Sequence, residues 1–413
     1  MFNLEALNFV NEVEKECEPI FAKLEDICLH NQKKMLNAFR DANVNLSDIA
    51  SSTGYGNDDR ARVKLSEVYA NAFGVETGIV SPLITSGTHA LTIALFGVLR
   101  PDDVMFSVTG KPYDTLIDVI FGEGIGSLKD FKIKYEDVEL GDNDFDYDTI
   151  KEKVIKIKPK MIYIQRSRGY TSRESLSVSK IEKLIKFVKL IDPNVIVMVD
   201  NCYGEFTEKL EPTQVGADLI AGSLIKNAGG GIAPSGGYIA GRKDLVELCG
   251  YRLTTPGLGT ELGATLGQNR SIFMGLFNSP HVVGEALKTA IFAASLFTEL
   301  GVKVTPEVTE TRHDIIQAIC LENSENLIAF CQGLQKGAPV DSYVTPEPWD
   351  MPGYDSQVIM SAGAFTSGSS IELSADAPLR EPYAVWMQGG LNFNSSKVGI
   401  MLAAKEVMKL NNM

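Results

Sequence analysis

Short runs that are apolar at every position recur between helical patterns over residues 75–290, one run closing on an acid and the next leading to a lysine. Together these predict an α/β protein with a large, mainly parallel-sheet domain and a smaller C-terminal α+β domain. At 413 residues the chain exceeds one comfortable core, which points the same way. The runs are 104–108, 161–164, 195–199, 219–221 and 238–240. Uninterrupted apolar character suits strands covered on both faces.

Taken in order, residues 1–45 read as a helix, because Leu7, Val10, Val13, Ile20, Leu24 and Ile27 recur at spacings near three and four. That spacing is too irregular for a sustained coiled coil. A turn-rich stretch, SSTGYGNDD at 51–59, precedes a helix over 60–73. This places an N-terminal arm at 1–74 and the α/β domain at 75–300. A helix from about 282 to 300 stops at Gly301 and leads through 302–304 into the last unit, 301–413. There, 315–321 and 369–373 read as strands and 397–410 as a final helix. No internal repeat or low-complexity tract interrupts the pattern.

Composition narrows the function. The 44% hydrophobic and 22% charged content is that of a globular protein. A formal charge of -14 argues against nucleic acid or an anionic membrane as partner, since binders of phosphate backbones present a basic surface. The first thirty residues are acidic and amphipathic, unlike a secretion signal, and the most apolar stretch, 78–99, is broken by Ser81, Pro82, Thr85, Ser86, Thr88 and His89. A cytoplasmic location is therefore expected. The six cysteines form no CxxC pair, and apart from Cys28 near His30 have no close histidine, which disfavours zinc and disulfides and predicts reduced packing residues.

The chemistry begins at VIVMVDN, 195–201, where a buried strand ends in Asp200. In open α/β sheets ligands bind at the carboxyl ends of strands. Acids there often only cap a loop. The next run, ADLIAGSLIK, reaches Ser223 and Lys226 and is followed by dense glycine (Gly229, Gly230, Gly231, Gly236, Gly237), which allows close backbone approach that a merely solvated lysine would not need. Partial burial would lower the lysine pKa and make the amine a Schiff-base donor. A pyridoxal ring needs such an amine, together with an acid to keep its ring nitrogen protonated, and Asp200 is placed for that. The cofactor phosphate would sit where TSGTH, 85–89, opens a helix. Ser86, Gly87 and Thr88 offer amides and hydroxyls there, and Ser223 adds another hydroxyl. Tyr113, in GKPYDT, is placed to lie against the ring. His89 could approach the cofactor but reads more simply as a packing residue. Cys202 has no base near it in sequence and reads as a small buried side chain.

This ordered set resembles the fold type I pyridoxal-phosphate enzymes, and within them the cysteine and methionine metabolism group of cystathionine and methionine γ-lyases. SGT at 86–88 resembles that group's phosphate turn, KPYDT at 111–115 its stacking tyrosine loop, VDNCY at 199–203 its Asp-Asn strand end, and ADLIAGSLIKNAGG at 217–230 its lysine stretch. GYGNDDR at 54–60, SSIELSADAPLREPY at 369–383 and MQGGL at 387–391 resemble the branch described as aluminium-resistance or methionine-γ-lyase-related proteins. The resemblance implies pyridoxal 5'-phosphate on Lys226, cleavage of a carbon–sulfur bond in a small sulfur-containing L-amino acid, and Tyr113 as proton donor to the leaving thiol. It also implies a homo-oligomer, a tetramer of two dimers, in which Tyr55 and Arg60 reach the neighbouring subunit's phosphate, with Arg62 a rival for that role.

Three departures stand out. Ile225 precedes the lysine where the group has a hydroxyl, Gln165-Arg166-Ser167-Arg168 replaces an Asn-Pro loop, and AVWMQGG lacks the arginine that clamps the substrate carboxylate. Arg380 is the first substitute for that clamp and Arg168 the second, a guanidinium being the natural bidentate partner. Arg380 could instead pair with Asp376 or Glu381. Aminotransferase or aldolase chemistry on the same residues, and a non-catalytic stress-related binding protein, are the rival readings.

Overall fold

The apolar runs between 77 and 241 pair into one seven-stranded sheet made of β1 (Thr77–Ser81), β2 (Val104–Ser107), β3 (Lys134–Asp137), β4 (Met161–Gln165), β5 (Ile196–Asp200), β6 (Leu219–Ser223) and β7 (Gly237–Gly241). This computed structural model describes residues 2–142, 144–351 and 356–410. The strand order is β1-β7-β6-β5-β4-β2-β3. Strands β2 to β6 are mutually parallel, and every residue of β4, β5, β6 and β7 is buried. β7 runs antiparallel to β6. Residues 224–236 join them, and their one helical element is the short turn Asn227–Gly229, with no α-helix of the kind that usually carries a parallel crossover. Two strands lie outside the expected runs: β1 opens the apolar stretch 78–99, and β3 (KYED) is a charged edge strand.

Helices α1 (Leu4–Asp41), α2 (Arg60–Phe73), α3 (Gly87–Val98), α4 (Asp114–Phe121), α5 (Tyr147–Ile157), α6 (Val178–Ile191) and α7 (Lys243–Leu253) accompany this sheet. The long α8 (Asn269–Glu299) leads to a second sheet of five strands: β8 (Lys303–Thr305), β9 (Ile316–Cys320), β10 (Val358–Ser361), β11 (Ser374–Pro378) and β12 (Ala384–Gln388). Its order is β10-β11-β12-β9-β8, antiparallel throughout, with α9 (Ser324–Lys336) and α10 (Phe393–Leu410) packed together beside it.

The structure corrects three expectations. The strand read at 369–373 lies at Ser374–Pro378 instead. Ile371 is buried in the core of the large sheet and its carbonyl accepts the Gly390 N–H, so this stretch turns across rather than joining the small sheet. α8 begins at Asn269, well before 282, and runs through Pro280. Finally, α1 is no loose arm, because its apolar face lies along α8 of the same chain. Cys17, Leu24 and Met35 enter the first core, while Val10 and Val13 enter the second. One helix thereby ties the two sheets together.

Among the described residues no helix is long and apolar enough to cross a membrane, and no cluster of His, Cys, Asp or Glu forms a metal site. All six cysteines are free.

Candidate active site

β4 and β5 end level with one another, Gln165 opposite Asp200, while β6 passes Asp200 at Ala221 and runs on to Ser223. The Asp200 carboxylate therefore emerges in the middle of the sheet's carboxyl edge, the position at which α/β sheets bind ligands. Its Oδ1 accepts the Cys202 N–H at 3.1 Å and its Oδ2 the Tyr163 hydroxyl at 3.4 Å. Burial pushes its carboxyl pKa up, and the positive charge of Lys226 is the principal opposing influence.

Lys226 follows β6 on a turn made by close backbone contact. Any Cβ at Gly229 would overlap the Leu224 carbonyl, and one at Gly275 of α8 would overlap the Gly229 carbonyl, so the glycine-dense segment lies directly on α8. The lysine amine lies 4.0 Å from the centre of the Tyr203 ring. Tyr203 holds a backbone φ of 70°, a costly region for a side chain of that size.

On the other side, a Cβ at Gly87 would come within 3.2 Å of Cys202 Sγ, 3.5 Å of Ser223 Cβ and 3.9 Å of Lys226 Nζ. The first turn of α3 thus meets the lysine across a gap that only glycine leaves open. Ser86 caps α3, its Oγ accepting the His89 N–H at 3.0 Å. The Gly87 and Thr88 amides, ahead of the capped His89, have no carbonyl partner within the helix and are placed for an anion. Thr88 Oγ1 lies 2.7 Å from Thr115 Oγ1, and Ser223 Oγ accepts the Ile225 N–H at 3.3 Å. His89 accepts the Thr85 N–H through Nδ1 at 3.1 Å, as befits a satisfied packing residue.

The electrostatics reverse one expectation. Burial alone would lower the Lys226 pKa, but the acidic groups packed round the amine, Asp200 among them, hold the ammonium above the ordinary lysine range. Burial keeps the Cys202 thiol and the Tyr203 phenol protonated, and pushes Glu205 up to about 8. Asp200 is then the anion that retains the lysine proton. A protonated Cys202 also fits its reading as a packing residue.

A third wall comes from the small sheet. The Tyr113 N–H donates to Gln165 Oε1 at 2.8 Å, and its ring meets Tyr170 edge-on at 5.6 Å. Tyr170 lies 5.5 Å from Trp386 of β12 and donates its hydroxyl to Asp376 Oδ2 at 2.6 Å. Tyr203, Tyr170 and Trp386 share one apolar cluster. Tyr203, Tyr170, Asp376, Trp386 and Gln388 escaped sequence reasoning. An isolated acid within the SADAP strand was the one available hint.

The structure brings Lys226, Asp200, Ser223 and Gly87 together, with Ser86 and Thr88 flanking Gly87. No contact joins either expected arginine to Lys226. Arg168 is buried and donates to the Thr305 carbonyl at 2.9 Å, while Arg380 is exposed beyond β11 and pairs with neither Asp376 nor Glu381. Tyr55 is 77% exposed, and Arg60 reaches Asp48, at 3.4 Å. Arg62 is committed to the carbonyls of Gly56, Gly263 and Glu261, so it clamps the turn rather than leaving it. A groove of about 860 Å³ between α1, α8 and α10 is lined mainly by apolar side chains such as Phe2, Phe9, Leu296 and Met401, and carries none of this chemistry.

The chemistry of the set fits pyridoxal 5'-phosphate: an amine, a buried acid, and a helix start that a Cβ would obstruct. The comparisons agree. A Bacillus subtilis protein of uncharacterized function, YnbB, is 48% identical over 402 residues, covering 96% of this chain and 95% of that one. A Listeria monocytogenes structure, described as a candidate cystathionine beta-lyase involved in aluminum resistance, superposes with a TM-score of 0.95 at 48% identity, covering 97% of this chain and 100% of that one. At 17% identity and a TM-score of 0.58, covering 86% of this chain and 88% of the other, a Campylobacter jejuni structure described as a candidate O-acetylhomoserine (thiol)-lyase with a pyridoxyl-lysine shares the fold. That architecture is the fold type I arrangement of pyridoxal-phosphate enzymes. The family model for methionine gamma-lyase matches residues 6–408, and the chain belongs to that family.

Proposed function

We propose that the protein is a carbon–sulfur lyase acting on a sulfur-containing L-amino acid, with pyridoxal 5'-phosphate held on Lys226. The observation that carries this reading is the convergence of the Lys226 amine, the buried Asp200 carboxylate and the Gly87 start of α3 at one sheet edge. The cystathionine beta-lyase description of the Listeria relative supports the choice of bond.

When bound, pyridoxal 5'-phosphate supplies an electron sink for the pair left as a bond to the substrate α-carbon breaks. Asp200 would pair with the ring nitrogen and keep it protonated. That pairing also withdraws the anion that now retains the Lys226 proton, leaving Nζ free to take the substrate α-proton. The Gly87 and Thr88 amides with Ser86 and Ser223 would hold the phosphate. Tyr113 would hand a proton to the departing thiolate. Arg380 is the better choice for the substrate carboxylate, because Arg168 already serves Thr305. Tyr55 and Arg60, exposed on a turn clamped by Arg62, would serve the neighbouring subunit's phosphate in a homotetramer.

The test is a panel of L-amino acids assayed for both keto acid and thiol release by cofactor-loaded protein. Release of both supports the lyase. Transfer of the amino group without thiol release would favour an aminotransferase, and no turnover with any substrate a binding protein. Asp200→Ala should retain cofactor while losing about 10²- to 10³-fold in kcat. Lys226→Ala should lose the cofactor-linked peptide that borohydride reduction and mass spectrometry find in the parent.

A further inference from the structure

We propose that Tyr203 is a positioning residue for the reaction: the face of its ring holds the ammonium that Lys226 becomes on taking the substrate α-proton. This rests on the lyase reading above and deepens it, by naming what receives the charge once Asp200 is engaged elsewhere. As the bond between the α-carbon and its hydrogen breaks, the electron pair passes to the cofactor's electron sink and the proton bonds to Nζ.

Nζ lies 4.0 Å from the centre of the Tyr203 ring, within the range at which an ammonium is attracted to an aromatic face. Among the described residues it makes no hydrogen bond or ion pair, so the ring is the contact that places it. The ring is held there at a cost. Tyr203 has a φ of 70° and Phe206 one of 61°, two left-handed residues with large side chains in one short loop. Gly204 between them has no room for a Cβ, which would fall 2.6 Å from Cδ of the buried Arg166. Asn227, directly after the lysine, donates through Nδ2 to the Tyr203 and Glu205 carbonyls, both at 3.0 Å. The residue beside the lysine thus grips the backbone of the residue whose ring faces it.

A tyrosine that only filled space would not need that strain. Burial keeps its phenol protonated, so the neutral ring attracts a cation through its electron-rich face and does not take the proton. A carboxylate in its place would retain the lysine proton and leave the amine a poor base. With Asp200 turned to the cofactor's ring nitrogen, the charge formed on Nζ would otherwise sit buried and unpaired, at a cost that slows the step forming it. A weak partner without basicity lowers that cost and still releases the amine.

The experiment grades the ring face while keeping its shape. Tyr203→Phe is the reference, and the same position then carries phenylalanine with one, two or three ring fluorines, which withdraw electrons from the face. Two rates are read. The first is growth of the Schiff-base absorbance when pyridoxal 5'-phosphate is added to full-length, cofactor-free protein at neutral pH, where only the unprotonated amine reacts. The second is loss of deuterium, by NMR, from L-alanine labelled at its α-carbon, with cofactor-loaded protein; alanine has no leaving group, so proton removal alone is read. Across the series the first rate should rise and the second fall, each by about 3- to 30-fold at three fluorines. General damage to the site would slow both. Rates that ignore the fluorine count, or that fall together, would overturn the proposal and leave Tyr203 as a packing residue. A reference protein that removes no deuterium would overturn it too, since no ammonium then forms. Deuterium loss that follows the series in a protein releasing no thiol from any substrate would sustain Tyr203 and refute the lyase reading, so the two failures are told apart.

Discussion

Glu205 shows how one side chain near the lysine ties stability to pH. It is buried, its Oε1 accepts the Tyr238 hydroxyl at 2.9 Å, and its pKa is pushed up to about 8, chiefly by burial. In the unfolded chain the same group titrates near 4.5. Between those values the folded state holds a proton that the unfolded state has lost, so protonation favours folding. The contribution is complete below about pH 4.5 and is lost as pH rises through 8, amounting to a few kcal/mol, order of magnitude. Urea midpoints of cofactor-free protein should therefore fall more steeply from pH 5 to pH 8 in the parent than in Glu205→Gln. Parallel pH profiles for the two would show that Glu205 is already ionised in the folded protein. Gly87→Ala belongs to the same scale. Its Cβ would press on Cys202 Sγ at 3.2 Å, and cofactor affinity should fall about tenfold, as read by equilibrium dialysis.

At the scale of elements, α8 and the lysine turn form one unit. An Ala at Gly275 would gain about 1 kcal/mol of helix propensity. The opposing effect is larger, because the new Cβ would overlap the Gly229 carbonyl, which is backbone and cannot swing aside. Overpacking of this kind costs typically about 1–3 kcal/mol and more where the obstacle is rigid. Gly275→Ala is expected to lower Tm by several degrees and, since that turn carries Lys226, to weaken cofactor retention as well. A raised Tm would mean that the turn yields easily and that helix propensity decides. The clamping of 51–59 is a second example. Asp59 accepts the Arg62 N–H and the Thr265 hydroxyl, so the turn is fixed to its own subunit before any partner arrives.

For the whole molecule, the exposed pair Tyr55 and Arg60 matters most. α1 covers itself on α8, so the apolar helix face is no evidence of a partner, and the case rests on the turn alone. If sites are shared, Tyr55→Phe/Arg60→Ala and Lys226→Ala are each inactive, yet their hybrid dimers contain one site with neither lesion. Equal mixing with subunit exchange should then restore roughly a quarter of parental activity, since half the dimers are hybrids with one intact site of two. A fully active monomer by sedimentation, or no rescue after demonstrated exchange, would remove the shared site.

Sequence by itself determined what is written locally. An apolar run ending in Asp200, and another leading to Lys226 and a glycine cluster, mark a strand end and a close turn whatever else the chain does, because burial on both faces and backbone approach are properties of short segments. The α2 helix was legible over its whole length for the same reason. The tertiary structure decided the rest. Tyr170 and Asp376 are 206 residues apart in sequence, and only the approach of the small sheet makes them partners. The register that sets Asp376 opposite Trp386, the positive φ that turns Tyr203 toward the lysine, and the commitment of Arg168 to Thr305 are likewise choices of packing. The lysine pKa followed them. Local burial predicts that it should fall, but packing brings the Asp200 carboxylate at the end of β5 to the amine, and that raises it.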